Sequence, residues 1–235
     1  MERRSFETPL GEIWLWGEAE AFEAKTPKIV MITGAFAAPE TLRALPSLLP
    51  NAPVLIGDLP GNNSPEIREH TPAAFSTAYS AVIGRLGELV VVGGQSLGAT
   101  VALGVRSPNV RHVIALEPLI STDKVALLWP GFRQTLSCAT PAHREFLWSA
   151  FGIDETSAEP RDHFDALNGL ATPTIVLAGD AVGPVPSLLS DRDLDRLRAH
   201  PMVRVRVIRG VGHDLTMGAS SIVVEVLRRA LAVTN

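Results

Sequence analysis

Short apolar runs alternate with helical patterns along most of this 235-residue chain, and that rhythm restricts the fold more than any other feature. Parallel strands cannot be joined by tight hairpins. Each crossover needs a longer connection, usually a helix, so β-then-α repetition predicts an α/β domain around a mostly parallel, twisted sheet flanked by helices. The strand-like runs cover residues 12–17, 28–33, 53–57, 89–92, 110–116, 174–178 and 203–208, the first reading as half of an N-terminal hairpin. Helices are expected over 39–49 and 72–86, after Ser96, and over 220–233. The length suits one sizeable core better than two. The rhythm lapses once: residues 119–170 carry no strand signal but several helical stretches rich in aromatics, with Pro130, Pro141 and Pro160 breaking them up. That segment reads as a helical insertion, leaving 1–118 and 171–235 as the core.

Composition narrows the function classes. Hydrophobic residues make up 46% and charged residues 20%, as in ordinary globular proteins. A net charge of −4 with scattered basic residues gives no electrostatic footprint for nucleic acid. The single cysteine, Cys138, allows neither an internal disulfide nor a cysteine metal cage and reads as a small apolar residue in a helical region. No apolar run is long enough for a membrane span, and the first residues lack the apolar stretch of a secretory signal, so a cytoplasmic protein is expected.

The segment Gly94-Gln95-Ser96-Leu97-Gly98 fits G-x-S-x-G, and it lies between a predicted strand and a predicted helix. A serine on such a sharp turn adopts a strained backbone, which demands small residues two places to either side. Its hydroxyl then stands above the carboxyl edge of the sheet, where open α/β sheets bind ligands. The N–H of Leu97, opening the helix, is aimed at a developing oxyanion. The bland alternative is a glycine-rich turn whose serine caps the helix. A sharper competitor is a dinucleotide-binding turn with Glu117 as the ribose acid, but Gln95 stands where that fingerprint needs its middle glycine.

Of six histidines, His213 alone follows the final predicted strand, within Gly210-Val211-Gly212-His213-Asp214. From that loop an imidazole can reach back over the sheet edge towards Ser96. His70 and His143 lie in polar stretches, His200 ends a charged helix, His112 starts a strand, and His163 reads as a lid or surface residue. Asp214 reads as a capping or loop carboxylate. Glu117 ends an otherwise apolar strand, where a buried charge needs a partner.

The order of elbow, acid and late Gly-x-Gly-His-Asp resembles the α/β-hydrolase superfamily, over nearly the whole chain. Asp58-Leu59-Pro60-Gly61 is similar to that family's Asp-x-Pro-Gly segment, and Thr33-Gly34-Ala35-Phe36 stands in place of its His-Gly oxyanion loop. The resemblance implies a second oxyanion N–H from Ala35 or Phe36, with Thr33 replacing the usual histidine. It offers two sites for the acid. The commoner lies after strand 174–178, where Val182 occupies the expected position and Asp180 stands two places early. The other is the end of the strand after the elbow helix, where Glu117 stands; Glu117 is preferred and Asp180 is the alternative. The resemblance also makes the insertion a cap over the pocket, with Phe36, Gln95, Trp129, Phe132 and Trp148 as candidate lining. The expectation is a serine hydrolase of carboxylic-ester type, acting on a small, largely apolar molecule through an acyl-enzyme on Ser96 without metal or cofactor. The competing readings are a non-catalytic ligand-binding protein of the same fold and the dinucleotide-binding oxidoreductase.

Overall fold

The computed structural model describes residues 1–126, 141–154, 156–180, 185–218 and 220–234. In chain order its elements are β1 (Glu2–Thr8), β2 (Gly11–Gly17), α1 (Ala19–Glu23), β3 (Lys28–Ile32), α2 (Ala44–Leu48), β4 (Val54–Gly57), α3 (Pro72–Leu86), β5 (Val90–Gln95), α4 (Leu97–Gly104), β6 (Val110–Leu116), α5 (Asp123–Ala126), α6 (Pro141–Phe151), β7 (Thr174–Gly179), α7 (Asp191–Ala199), β8 (Val203–Ile208), α8 (Leu215–Gly218) and α9 (Ser220–Thr234). The strands form one eight-stranded sheet in the order β1-β2-β4-β3-β5-β6-β7-β8. β1 and β2 form the antiparallel hairpin, β2 meets β4 antiparallel, and every other neighbour pair is parallel.

The central strand β5 shows why the sheet is buried on both faces. Val90 and Val92 pack on one side with Phe75, Tyr79 and Leu103 from α3 and α4. Val91 points the other way, into a cluster with Ile29, Met31, Ile114 and Leu227 of α9. All three valines are fully buried, each contributing about 1.5–3 kcal/mol of hydrophobic stabilisation. A strand sandwiched in this way reads as a continuous apolar run rather than an alternating one.

Local chemistry sets the ends of α3. The Thr71 hydroxyl accepts from the Ala74 N–H at 3.1 Å, Pro72 opens the first turn, and Gly87 closes the helix at φ 74°. The helix expected over 39–49 is instead a 3₁₀ turn, Pro39–Leu42, followed by the short α2. Pro46 is the reason: it has no N–H to donate four residues back, to Leu42, and its ring crowds that carbonyl.

Between β6 and β7 the described residues hold α5, α6 and a 3₁₀ turn, Phe164–Leu167, and add no strand to the sheet. Phe146, Leu147, Ala150 and Phe151 of α6 are buried against the core. No helix among the described residues is long and apolar enough to cross a membrane. Trp129, Phe132, Cys138 and Val182 lie outside the described residues.

Candidate active site

Ser96 stands between β5 and α4 at φ 55°, ψ −124°, a conformation that strongly disfavours any residue with a Cβ. The flanking glycines make the turn possible. A Cβ on Gly94 would lie 2.2 Å from the Gly98 carbonyl oxygen, and one on Gly98 would lie 2.2 Å from that of Thr33. Larger residues would push the turn apart. The Ser96 N–H is held by the Leu116 carbonyl at 2.9 Å, while the Leu97 N–H, at the first helical position, has no intrahelical acceptor.

The loop after β3 is tied down by a residue that the sequence reading did not single out. Asn62 Oδ1 accepts from the Phe36 N–H at 3.0 Å, and its Nδ2 donates to the Gly34 carbonyl at 3.0 Å. Phe36 takes φ 59° there. With the Phe36 N–H engaged by Asn62, Ala35 is the residue of the pair whose amide is suited to the oxyanion role. The fully buried Thr33 donates to Asp58 Oδ1 at 3.4 Å. Burial raises the Asp58 carboxyl to a pKa of about 6, against hydrogen bonds from Asn63, Asn62 and Thr33 that pull the other way.

Glu117 is fully buried and also left-handed, at φ 49°. Its Oε1 accepts from the Gly179 N–H at 2.5 Å and its Oε2 from the Leu188 N–H at 3.1 Å. The Ser187 hydroxyl lies 2.9 Å from Oε1 and 3.1 Å from Oε2. His213 Nδ1 completes the set, 3.3 Å from Oε2. This contact leaves Nε2 as the imidazole nitrogen available to a serine proton. The other acid candidate, Asp180, is half-buried and accepts the Gly210 N–H at 2.9 Å. It staples the loop after β8, and among the described residues no hydrogen bond or ion pair joins it to His213.

Ser96 and His213 line one cavity of about 310 Å³ with Gly34, Ala35, Gln95 and Asp214. No hydrogen bond joins Ser96 Oγ to His213 among the described residues. Gln95 Nε2 donates to Asp214 Oδ1 at 3.2 Å, and that oxygen also takes the Met217 N–H at 3.2 Å. Thr216 Oγ1 lies 2.8 Å from the same carboxylate oxygen, so Asp214 is a loop carboxylate. A larger cavity of about 490 Å³, beside Thr71, Arg106 and His163, contains none of these residues. His163 Nε2 meets the Ala150 carbonyl at 2.6 Å, a structural contact.

Two of the expected lining residues are placed elsewhere than on the described wall of this cavity. Trp148 does not line the Ser96 cavity; its ring lies under the Arg161 guanidinium, 4.2 Å from the centroid. The inward positions of α6 are Phe146, Leu147, Ala150 and Phe151, and a helix turns about 100° per residue, which puts Trp148 beyond the edge of that face. Phe36 does not line it either: its ring meets Phe146 edge-on at 5.7 Å and stacks on Phe151 at 6.4 Å. It ties the loop after β3 to α6. The dinucleotide reading also fails structurally. β5 runs through to Gln95, and Gly93 is a strand residue whose Cβ would strike Met31 Sδ at 2.4 Å, so its glycine serves packing rather than approach to a pyrophosphate.

This sheet order, with a strained serine after β5 and a histidine after β8, defines an α/β-hydrolase architecture. A family model described as alpha/beta hydrolase family matches residues 29–229, and the chain belongs to that family. No curated protein sequence matches it. Among solved structures, the carboxylesterase CesB from Bacillus subtilis is similar with a TM-score of 0.69 at 14% identity, over 98% of this chain and 92% of that one. A thermophilic esterase from Thermogutta terrifontis is similar at 0.63 and 18%, over 100% and 99%. A proline iminopeptidase from Mycobacterium smegmatis is similar at 0.68 and 15%, over 100% of both chains. At these identities the likeness is one of fold.

Proposed function

We propose that this protein is a serine hydrolase that cleaves an ester or related acyl bond of a small molecule through an acyl-enzyme on Ser96. The observation that carries the reading is the buried Glu117 carboxylate against Nδ1 of His213, whose residue lines the same cavity as the strained Ser96. In this mechanism Glu117 fixes the imidazole tautomer with its proton on Nδ1 and stabilises the imidazolium that forms. His213 Nε2 takes the Ser96 proton as Oγ attacks the carbonyl carbon. The N–H groups of Leu97 and Ala35 receive the oxyanion, with the dipole of α4 behind Leu97. His213 then protonates the leaving group, water attacks the acyl-enzyme by the same route, and the acid departs. Serine–histidine hydrogen bonds are often long in the absence of substrate and tighten in the complex, which accommodates the unbonded Ser96.

Carboxylic-ester activity is the form favoured, because esters demand least of the leaving-group step and two of the structural neighbours carry esterase names. Helix α6, from the segment between β6 and β7, serves as a cap element, anchored through Phe36, Phe146 and Phe151. The polar Gln95, Asp214 and Thr216 at the cavity wall suit an uncharged substrate with a polar edge better than a purely apolar one. The missing Ser96–His213 bond is the one observation favouring a non-catalytic ligand-binding protein. A fluorophosphonate probe separates the two readings. Wild type is expected to form a covalent adduct at Ser96, and Ser96→Ala to form none; an unreactive wild type sinks the hydrolase reading.

A further inference from the structure

We propose that Ser187 is a positioning residue for the Ser96–His213–Glu117 relay, orienting the Glu117 carboxylate towards the imidazole; this rests on the acyl-transfer reading above. Glu117 is fully buried, and among the described residues no lysine or arginine is bonded to it. A carboxylate in that setting keeps its charge only if donors fill its lone pairs. Each oxygen has one backbone donor, Gly179 N–H on Oε1 and Leu188 N–H on Oε2. The Ser187 hydroxyl lies between the two oxygens and is, among the described residues, the only side-chain donor besides His213. A single proton shared across both oxygens opposes rotation of the carboxylate, the motion that would turn Oε2 away from Nδ1.

The same stretch of chain also holds the base. The His213 N–H donates to the Val185 carbonyl at 2.9 Å. Residues 185–188 therefore touch the imidazole-bearing loop at one end and the carboxylate at the other. This stretch follows β7, where the resemblance put the family's commoner acid; here it contributes neutral donors to an acid that comes from β6 instead. Ser187 is itself buried, at 4% exposure, so its hydroxyl is directed at Glu117 and not at solvent.

The test combines the rate of fluorophosphonate labelling with the downfield proton resonance of His213 Nδ1, in wild type, Ser187→Ala and Ser187→Thr. Removing a hydrogen bond to a charged group predicts a roughly 10- to 100-fold slower labelling of Ser187→Ala, with the Nδ1 resonance lost to exchange. Ser187→Thr, which keeps the hydroxyl, is expected to recover both. Unchanged labelling and resonance in Ser187→Ala overturn the proposal. So does an equal slowing of both variants with the resonance intact, which assigns Ser187 to packing alone. If wild type does not label, the acyl-transfer reading falls, and the resonance alone decides whether Ser187 positions the Glu117–His213 pair: its loss in Ser187→Ala supports the pairing role, its persistence overturns it.

Discussion

Adjacent strands β6 and β7 each end in a carboxylate one residue beyond their last pleat, and the two carboxylates have opposite surroundings. Glu117, after β6, is fully buried, sits at positive φ and is met by two backbone amides, a hydroxyl and an imidazole. Asp180, after β7, is half-buried and, among the described residues, bonded to a single backbone amide. Both are acids at the carboxyl edge of the sheet. An acid suited to a relay is distinguished by an enclosed donor set with one place left for the base, and proximity to the edge alone does not supply that. A third strand end, that of β4, carries Asp58, buried with no cation bonded to it among the described residues and with its carboxyl pushed up to about 6.

Substitution at Glu117 should produce the largest contrast. Glu117→Gln leaves the shape but sets the wrong tautomer of His213, and turnover of a p-nitrophenyl ester should fall on the order of 10³- to 10⁴-fold. Asp180→Asn should leave that turnover nearly unchanged; the reverse ranking would move the relay to β7. Gly179→Ala comes next. Its Cβ would lie 2.2 Å from the Val211 carbonyl oxygen and 2.6 Å from that of Gly212, so the loop carrying His213 must shift. A displacement of that size predicts roughly 10²-fold loss of kcat, and normal kcat in this variant would show that the loop position is not critical.

The smallest effect is on stability, at Asp58. Its folded pKa lies above its ordinary value of 3.8, so its carboxyl is neutral in the folded protein where an unfolded aspartate is already charged. The stability it supports is fully present below that ordinary value and is lost as pH rises through about 6. Asp58→Asn should therefore melt a few degrees above wild type near neutral pH, and the gain should shrink as the solution is acidified. Thermal melts of both proteins across that range check it; a constant difference would show that desolvation does not govern this carboxyl.

The strands were largely legible because a two-sided parallel sheet needs unbroken apolar runs, and such runs at 89–92 and 110–116 have few other uses. The elbow was legible for a steric reason: only glycine tolerates the contacts at positions 94 and 98. Asn62 and Ser187 escaped notice because their roles are made by partners far along the chain. Asn62 bonds Gly34 and Phe36 across 28 and 26 residues, and Ser187 bonds Glu117 across 70. The place of Trp148 under Arg161 was not legible, because composition reveals that a helix carries aromatics without revealing which face each one occupies.

Local pattern by itself determined the architecture, the strained turn at Ser96 and the place of His213 after the last strand, since strain, pleat and strand-to-helix turns are set by neighbours in sequence. Tertiary structure decided which carboxylate meets His213, a contact spanning 96 residues. The physical reason is that the sheet lays β6, β7 and β8 side by side, so a loop after β7 can enclose Glu117 while a loop after β8 delivers the imidazole to it. Burial and donor number in that enclosed space are properties of the packed sheet edge and belong to no single stretch of chain.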